Sequence, residues 1–155
     1  MFPAGTTSAG PPHAMMPPEA RELYVEATQV IGISRRAGTA LARAALERML
    51  RTLDPIDGRI DLAGRIDRVL PRVSSSLGQM LTVIRHVGNR SLHVDDSSDE
   101  IMTLVLDPQD VEIVELIFIS MNDLVEELIA RPDRAKAIYD RLPAAVRERV
   151  GKSAQ

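Results

Sequence analysis

Between Asp107 and Ala130 the apolar residues Val111, Val114, Ile117, Phe118, Met121, Leu124, Val125 and Leu128 recur at intervals of three and four. That interval matches the 3.6-residue turn of an α-helix and not the period of two of a half-buried strand. The opposite face carries Glu112, Glu115, Asn122, Glu126 and Glu127. Asp107 is placed to cap this helix and Pro108 to occupy its first turn. The pattern predicts a helix to about Ala130, broken by Pro132. A stripe of this length needs several other apolar helix faces to cover it.

The rest of the chain supplies them. A first helix is expected from about Glu19 to Ile31, with Leu23, Ala27, Val30 and Ile31 on one face. A second follows the N-cap Ser34 and runs to about Leu53. It carries Leu41, Ala45, Met49 and Leu53, widened by Leu46 and Leu50. A third covers about Asp61 to Leu70 and presents Leu62, Ile66, Val69 and Leu70. A fourth, capped by Ser74 to Ser76, carries Leu77, Leu81, Ile84 and Val87. Gly88 either ends that helix or is tolerated within a longer one. Ile101 to Leu106 reads equally as strand or helical turn. Asp133 is placed to cap a short helix through Tyr139 and Leu142, and Ala144 to Val150 adds a final turn or two. Aromatics make up 3% of the chain and Trp is absent. The core is therefore aliphatic, which suits helix-on-helix packing. The expected fold is all-α, a small bundle of about five to six helices.

One domain is expected over residues 18–150, after a flexible Pro/Gly-rich tail at 1–17 and before a flexible end at 151–155. With no cysteine in the chain, disulfides, thiolate metal sites and a Cys nucleophile are excluded. Residues 1–18 contain no Lys or Arg and no apolar h-region, so a signal peptide is not expected. No apolar run is long enough to span a bilayer. A cytoplasmic location without membrane attachment is the expectation. The chain has no phosphate loop, dinucleotide fingerprint or serine-hydrolase elbow, and no cofactor is expected.

The net charge of −3 hides a strong asymmetry. Arg21 to His93 holds 12 Arg and 7 acids, whereas Asp95 to Glu127 holds 11 acids and no Lys or Arg. The simpler reading is self-complementation within a monomer or across a dimer. The sharper reading is a basic face that meets phosphates.

Arg85, Asn89 and His93 are spaced four apart. On a continuous helix each step of four advances about 40°, so all three lie on one side. Arg can grip a phosphate through two parallel hydrogen bonds, His can move a proton near neutral pH, and Asn can orient either. Together they form a candidate catalytic group for phosphodiester cleavage, with His86, Arg90 and Arg43 as candidate ligand-binding residues. The competing reading is structural. It makes Asn89 a helix C-cap, His93 a partner of Asp95 or Asp96, and Arg43 a solvated or paired side chain. No metal site is expected, because His93 among Asp95, Asp96 and Asp99 is a poor zinc pattern.

Three segments carry a family resemblance. Ser34 to Glu47 places a Ser before a small-residue stretch and an Arg. Ile84 to His93 has an Arg, then Gly88-Asn89, then a His four residues after the Asn. Pro132 to Pro143 contains Tyr139 and Leu142-Pro143. Over about Pro17 to Val150 the chain resembles the bacterial family called domain of unknown function 4145, related to the helical HEPN superfamily. That resemblance implies a HEPN-like bundle and a homodimer that binds RNA or another nucleotide ligand in defence or stress response. It also implies a metal-independent endoribonuclease in which Arg85 and His93 act with Asn89 beside them. The Arg85–His93 interval is wider than in active HEPN ribonucleases, and Val94 stands where many relatives have Pro. The alternative is a non-catalytic interaction or oligomerisation module, with a protein partner on the acidic long helix.

Overall fold

The computed structural model describes residues 9–92 and 109–153, and among them every regular element is helical. Helix α1 spans Pro18–Val30 and α2 spans Arg35–Leu53. Helix α3 covers Leu62–Val69 and continues into a 3-10 turn at Leu70–Arg72. Helix α4 is Ser75–Leu92 and α5 is Gln109–Val125. A π-helical turn at Glu126–Ala130 joins α5 to α6, Arg131–Tyr139, and α7 is Ala144–Ser153. The chain is an all-α bundle, as the periodicity predicts.

Side-chain caps hold three helix starts, those at Ser34 and Ser74 as predicted, whereas Asp133 lies inside α6 and does not cap it. The Ser34 side chain accepts from the Ala37 N–H at 3.2 Å and Asp61 accepts from the Gly64 N–H at 2.9 Å. Each satisfies an N–H that has no partner inside its own helix. Ser74 accepts from the Leu77 N–H at 3.3 Å. The Ser74 hydroxyl and backbone N–H also donate to the two Glu127 carboxylate oxygens at 2.8 and 2.7 Å, which clips the start of α4 to the π turn.

Helix α5 is the centre of the bundle and packs on α2 and α4. Val114, Ile117, Phe118, Met121, Leu124 and Val125 are all buried. They meet Ala45, Leu46, Met49 and Leu50 of α2 and Leu77, Leu81 and Ile84 of α4 in one core. At about 25 cal/mol per Å² of apolar surface removed from water, these side chains supply most of the driving force for the fold. Helix α1 lies along α2, where Gly38 allows a very close approach to Ile31. The Tyr24 ring packs on Phe118 at a centroid distance of 4.7 Å.

Three expectations are corrected. First, residues 9–17 are not a loose tail. Met16 is buried, and the Tyr24 hydroxyl donates to the Gly10 carbonyl at 2.8 Å. Asn122 holds His13, Ala9 and Pro11. The segment is a strap across α1 and the end of α5. Second, Pro132 does not break the long helix. Proline normally clashes with the carbonyl four residues back and removes a hydrogen bond. Here the wider π turn precedes it, closed by the Arg131 N–H on the Glu126 carbonyl, and the rod continues to Tyr139. Third, the polar face of the long rod is not wholly solvated. Asn122 and Glu126 bind the strap, Glu127 binds Ser74, and no residue from Ile113 to Ala130 is fully exposed. Helix α7 also reaches Ser153, three residues past Val150. The expected Asp107-Pro108 start and the Ile101–Leu106 run lie outside the described residues.

Candidate functional site

Helix α4 runs through Gly88 to Leu92, so Gly88 does not end it. Arg85 and Asn89 are therefore one turn apart on the same helix. His93 lies outside the described residues, and of the Asn89 and Arg90 side chains nothing is described.

Arg85 is partly exposed and already paired. Its Nε lies 2.9 Å from Asp67 Oδ1 and its Nη2 donates to Asp67 Oδ2 at 3.1 Å. This two-point pair pins α4 to α3 and neutralises the guanidinium expected to face a phosphate. His86, the next residue, is exposed. Arg43 sits half-buried on α2, one turn before Glu47. Burial pushes the Arg43 guanidinium below its ordinary pKa, and the Glu47 charge pulls it back up. Among the described residues no hydrogen bond or ion pair joins Arg43 to Arg85 or His86. The structure thus brings Arg85 to Asp67 and does not bring Arg43 to them.

A second basic group was not singled out by the spacing argument. Arg65, Arg68 and Arg72 follow one another at i, i+3 and i+7 along α3 and its 3-10 turn. Arg68 grips Asp54, the residue after α2, from Nε at 2.6 Å and Nη2 at 3.1 Å. The Asp54 carboxyl lies below its ordinary pKa, first because of the Arg68 hydrogen bond, with the charges of Arg68, Arg72 and Arg65 adding to it. Arg65 itself is 5% exposed, on the same face as Leu62, Ile66 and Val69. The signal was present in the sequence: position 65 completes the apolar stripe of α3 with a guanidinium.

The C-terminal helices show the opposite anomaly. From Arg131 to Lys152 every residue except Arg147 is exposed. Ile138, Tyr139, Leu142, Val146 and Val150 all face solvent, Ile138 with 65% of its surface. Seven Arg and Lys residues accompany them against three acids.

These features define a small all-α domain with an exposed helical arm. A family model described as Domain of unknown function (DUF4145) matches residues 25–141, most of the chain. The chain belongs to the DUF4145 family. No curated protein and no solved structure matches it. No helix of the described residues is long and apolar enough to cross a membrane.

Proposed function

We propose that the chain is a non-catalytic assembly module that pairs with a second copy of itself through the α6–α7 arm. The carrying observation is the exposed row Ile138, Tyr139, Leu142, Val146 and Val150 on a strongly basic arm. Solvating five large apolar side chains on two short helices and the turn between them is costly, and exposed apolar surface of this kind marks an interaction site. A complementary surface lies on α1. Glu22, Val25, Glu26 and Gln29 form its exposed face, with Ile33 following at the same interval and 89% exposed. That face is acidic and apolar where the arm is basic and apolar. If each arm lies on the other copy's α1, the contact is reciprocal and closes as a two-fold dimer. Complementary charge fixes the register while the apolar rows supply the area.

Sedimentation velocity over a concentration series tests this. The wild type forms a dimer, Ile138→Glu with Val146→Glu gives a monomer of unchanged helicity, and Glu22→Lys with Glu26→Lys weakens the dimer. A wild type that stays monomeric at its highest soluble concentration overturns the reading.

The continuity of α4 past Gly88 supports a second reading, the HEPN-like one. In it Arg85, Asn89 and His93 line one side of the helix, His86 and Arg90 flank them, and an RNA phosphate displaces Asp67 from Arg85. Incubation with pooled labelled RNAs in EDTA tests it. Cleavage lost in both Arg85→Ala and His93→Ala supports a metal-independent endoribonuclease, and absence of cleavage by the wild type counts against it.

A further inference from the structure

We infer that the corner between α2 and α3 is an anion-binding site, built on the buried Arg65 guanidinium and taking a phosphate-class oxyanion. Arg65 is 95% buried, yet its Nε and Nη1 are enclosed without any hydrogen-bond partner among the described residues. Buried polar groups are almost always satisfied, and a guanidinium cannot escape by losing its proton. A buried charge left without a partner is among the most costly defects a fold can carry. Such a group points to an acceptor that the described protein groups do not supply.

Among the described residues the nearby carboxylates are already engaged. Asp54 is held by Arg68 through two nitrogens. Asp61 caps α3 on the Gly64 N–H, and Asp67 is paired with Arg85. Against Arg65, Arg68 and Arg72 the corner sets the carboxylates of Asp54 and Asp61, which leaves one net positive charge. The charges of all three arginines act on the Asp54 carboxyl and help to hold it below its ordinary pKa. The third Arg65 nitrogen, Nη2, is not among the enclosed ones and gives the group an outlet. An oxyanion there accepts from Nη2, and from a neighbouring N–H of the fork once the side chains that enclose it shift. Arg72 is exposed in the 3-10 turn that follows α3 and adds to the positive field at Asp54. A guanidinium fork with cationic neighbours fits a phosphate-class oxyanion better than chloride.

The site is independent of the arm and of Arg85. Its test is titration of the full chain with inorganic phosphate near neutral pH, by calorimetry and thermal melting, against sodium chloride at equal ionic strength. Phosphate raises the melting temperature above the chloride control, because a ligand that binds only the native state stabilises it by mass action. Arg65→Lys keeps the charge but loses the fork and weakens phosphate binding about tenfold or more. Arg72→Ala, at an exposed position, weakens it without disturbing the core, so the inference remains testable if Arg65 variants fold poorly. Arg48→Ala on α2, paired with Glu19, serves as the surface control and binds as the wild type does. No phosphate-specific effect in the wild type, or an equal effect in Arg65→Lys and Arg72→Ala, overturns the inference.

Discussion

His13 and Asn122 lie 109 positions apart and are joined by a 2.8 Å hydrogen bond from the His13 backbone N–H to Asn122 Oδ1. The Asn122 amide nitrogen also reaches the Pro11 carbonyl at 3.2 Å, the Ala9 carbonyl at 3.3 Å and the Tyr24 hydroxyl at 3.4 Å. One side chain thus answers several backbone groups of the strap. Asn122→Ala removes these partners together and is expected to cost roughly 1–3 kcal/mol. Asn122→Asp keeps the acceptor for His13 but turns a second oxygen toward the Ala9 and Pro11 carbonyls, so it destabilises despite its matching shape. Urea denaturation measures the cost. Limited proteolysis should show faster cleavage within residues 9–16 in both variants, and unchanged protection there would remove the strap from the folded unit.

Gly38 lies on α2 where α1 ends against it. A Cβ added at Gly38 stands 2.7 Å from both Cα and Cβ of Ile31 and 3.0 Å from its backbone nitrogen. Replacing a helical glycine by alanine ordinarily stabilises a helix by about 1 kcal/mol. Here the obstructing atoms are largely backbone and cannot rotate away, so the helices must separate. Overpacking of this kind costs about 1–3 kcal/mol. Gly38→Ala should therefore lower the denaturation midpoint, and a raised midpoint would mean that the α1–α2 approach is looser than described.

How far the residues alone foretell this arrangement depends on whether a local rule decides it. Ser34 and Ser74 cap as expected because a cap is chosen by its own three following residues. The apolar stripes of α2 and α5 read correctly because burial enforces the helical period. Asn122 read as solvent-facing because nothing on α5 announces a strap that arrives from the other end of the chain. Pro132 read as a breaker because the π turn that accommodates it is set by the preceding turn rather than by proline. Arg65 was passed over for Arg85 because three polar residues at even spacing stand out, while one guanidinium inside an apolar stripe does not. For Arg85 itself, the Asp67 partner comes from α3, a contact that only the packing of α3 on α4 creates.

The strap also carries a pH dependence. Glu126 accepts from Arg134 and from His13 Nε2, the latter at 3.0 Å. The Met15 N–H donates to His13 Nδ1 at 3.0 Å, so the hydrogen-bond network assigns the ring proton to Nε2. The Arg134 hydrogen bond first, and the His13 one second, lower the Glu126 pKa from 4.5 to about 2. A folded-state value below the unfolded one means that the stabilisation is complete above the unfolded pKa. It fades as pH falls from 4.5 toward about 2. Glu126→Gln removes this contribution, so its melting temperature should fall less steeply than that of the wild type across that window. Parallel slopes would show that neither partner lowers the carboxyl in solution. Because Arg134 is largely exposed, added salt should shrink the difference.

Arg65 gives a prediction with an unusual sign. Substituting a buried residue normally destabilises a protein. Arg65, however, contributes a buried charge whose Nε and Nη1 bond to nothing among the described residues. Methionine has an unbranched, flexible stem that fills irregular apolar space, with no polar group to desolvate. Replacing buried charged groups by apolar ones is often neutral or stabilising by about 1–4 kcal/mol. In phosphate-free buffer, Arg65→Met should therefore match or exceed the wild-type denaturation midpoint. Adding phosphate should narrow or reverse the gap by stabilising only the wild type. A large loss of stability in Arg65→Met without phosphate would instead mean that Arg65 holds the α2–α3 corner through its own packing. The two results separate a side chain kept for a ligand from one kept for the fold.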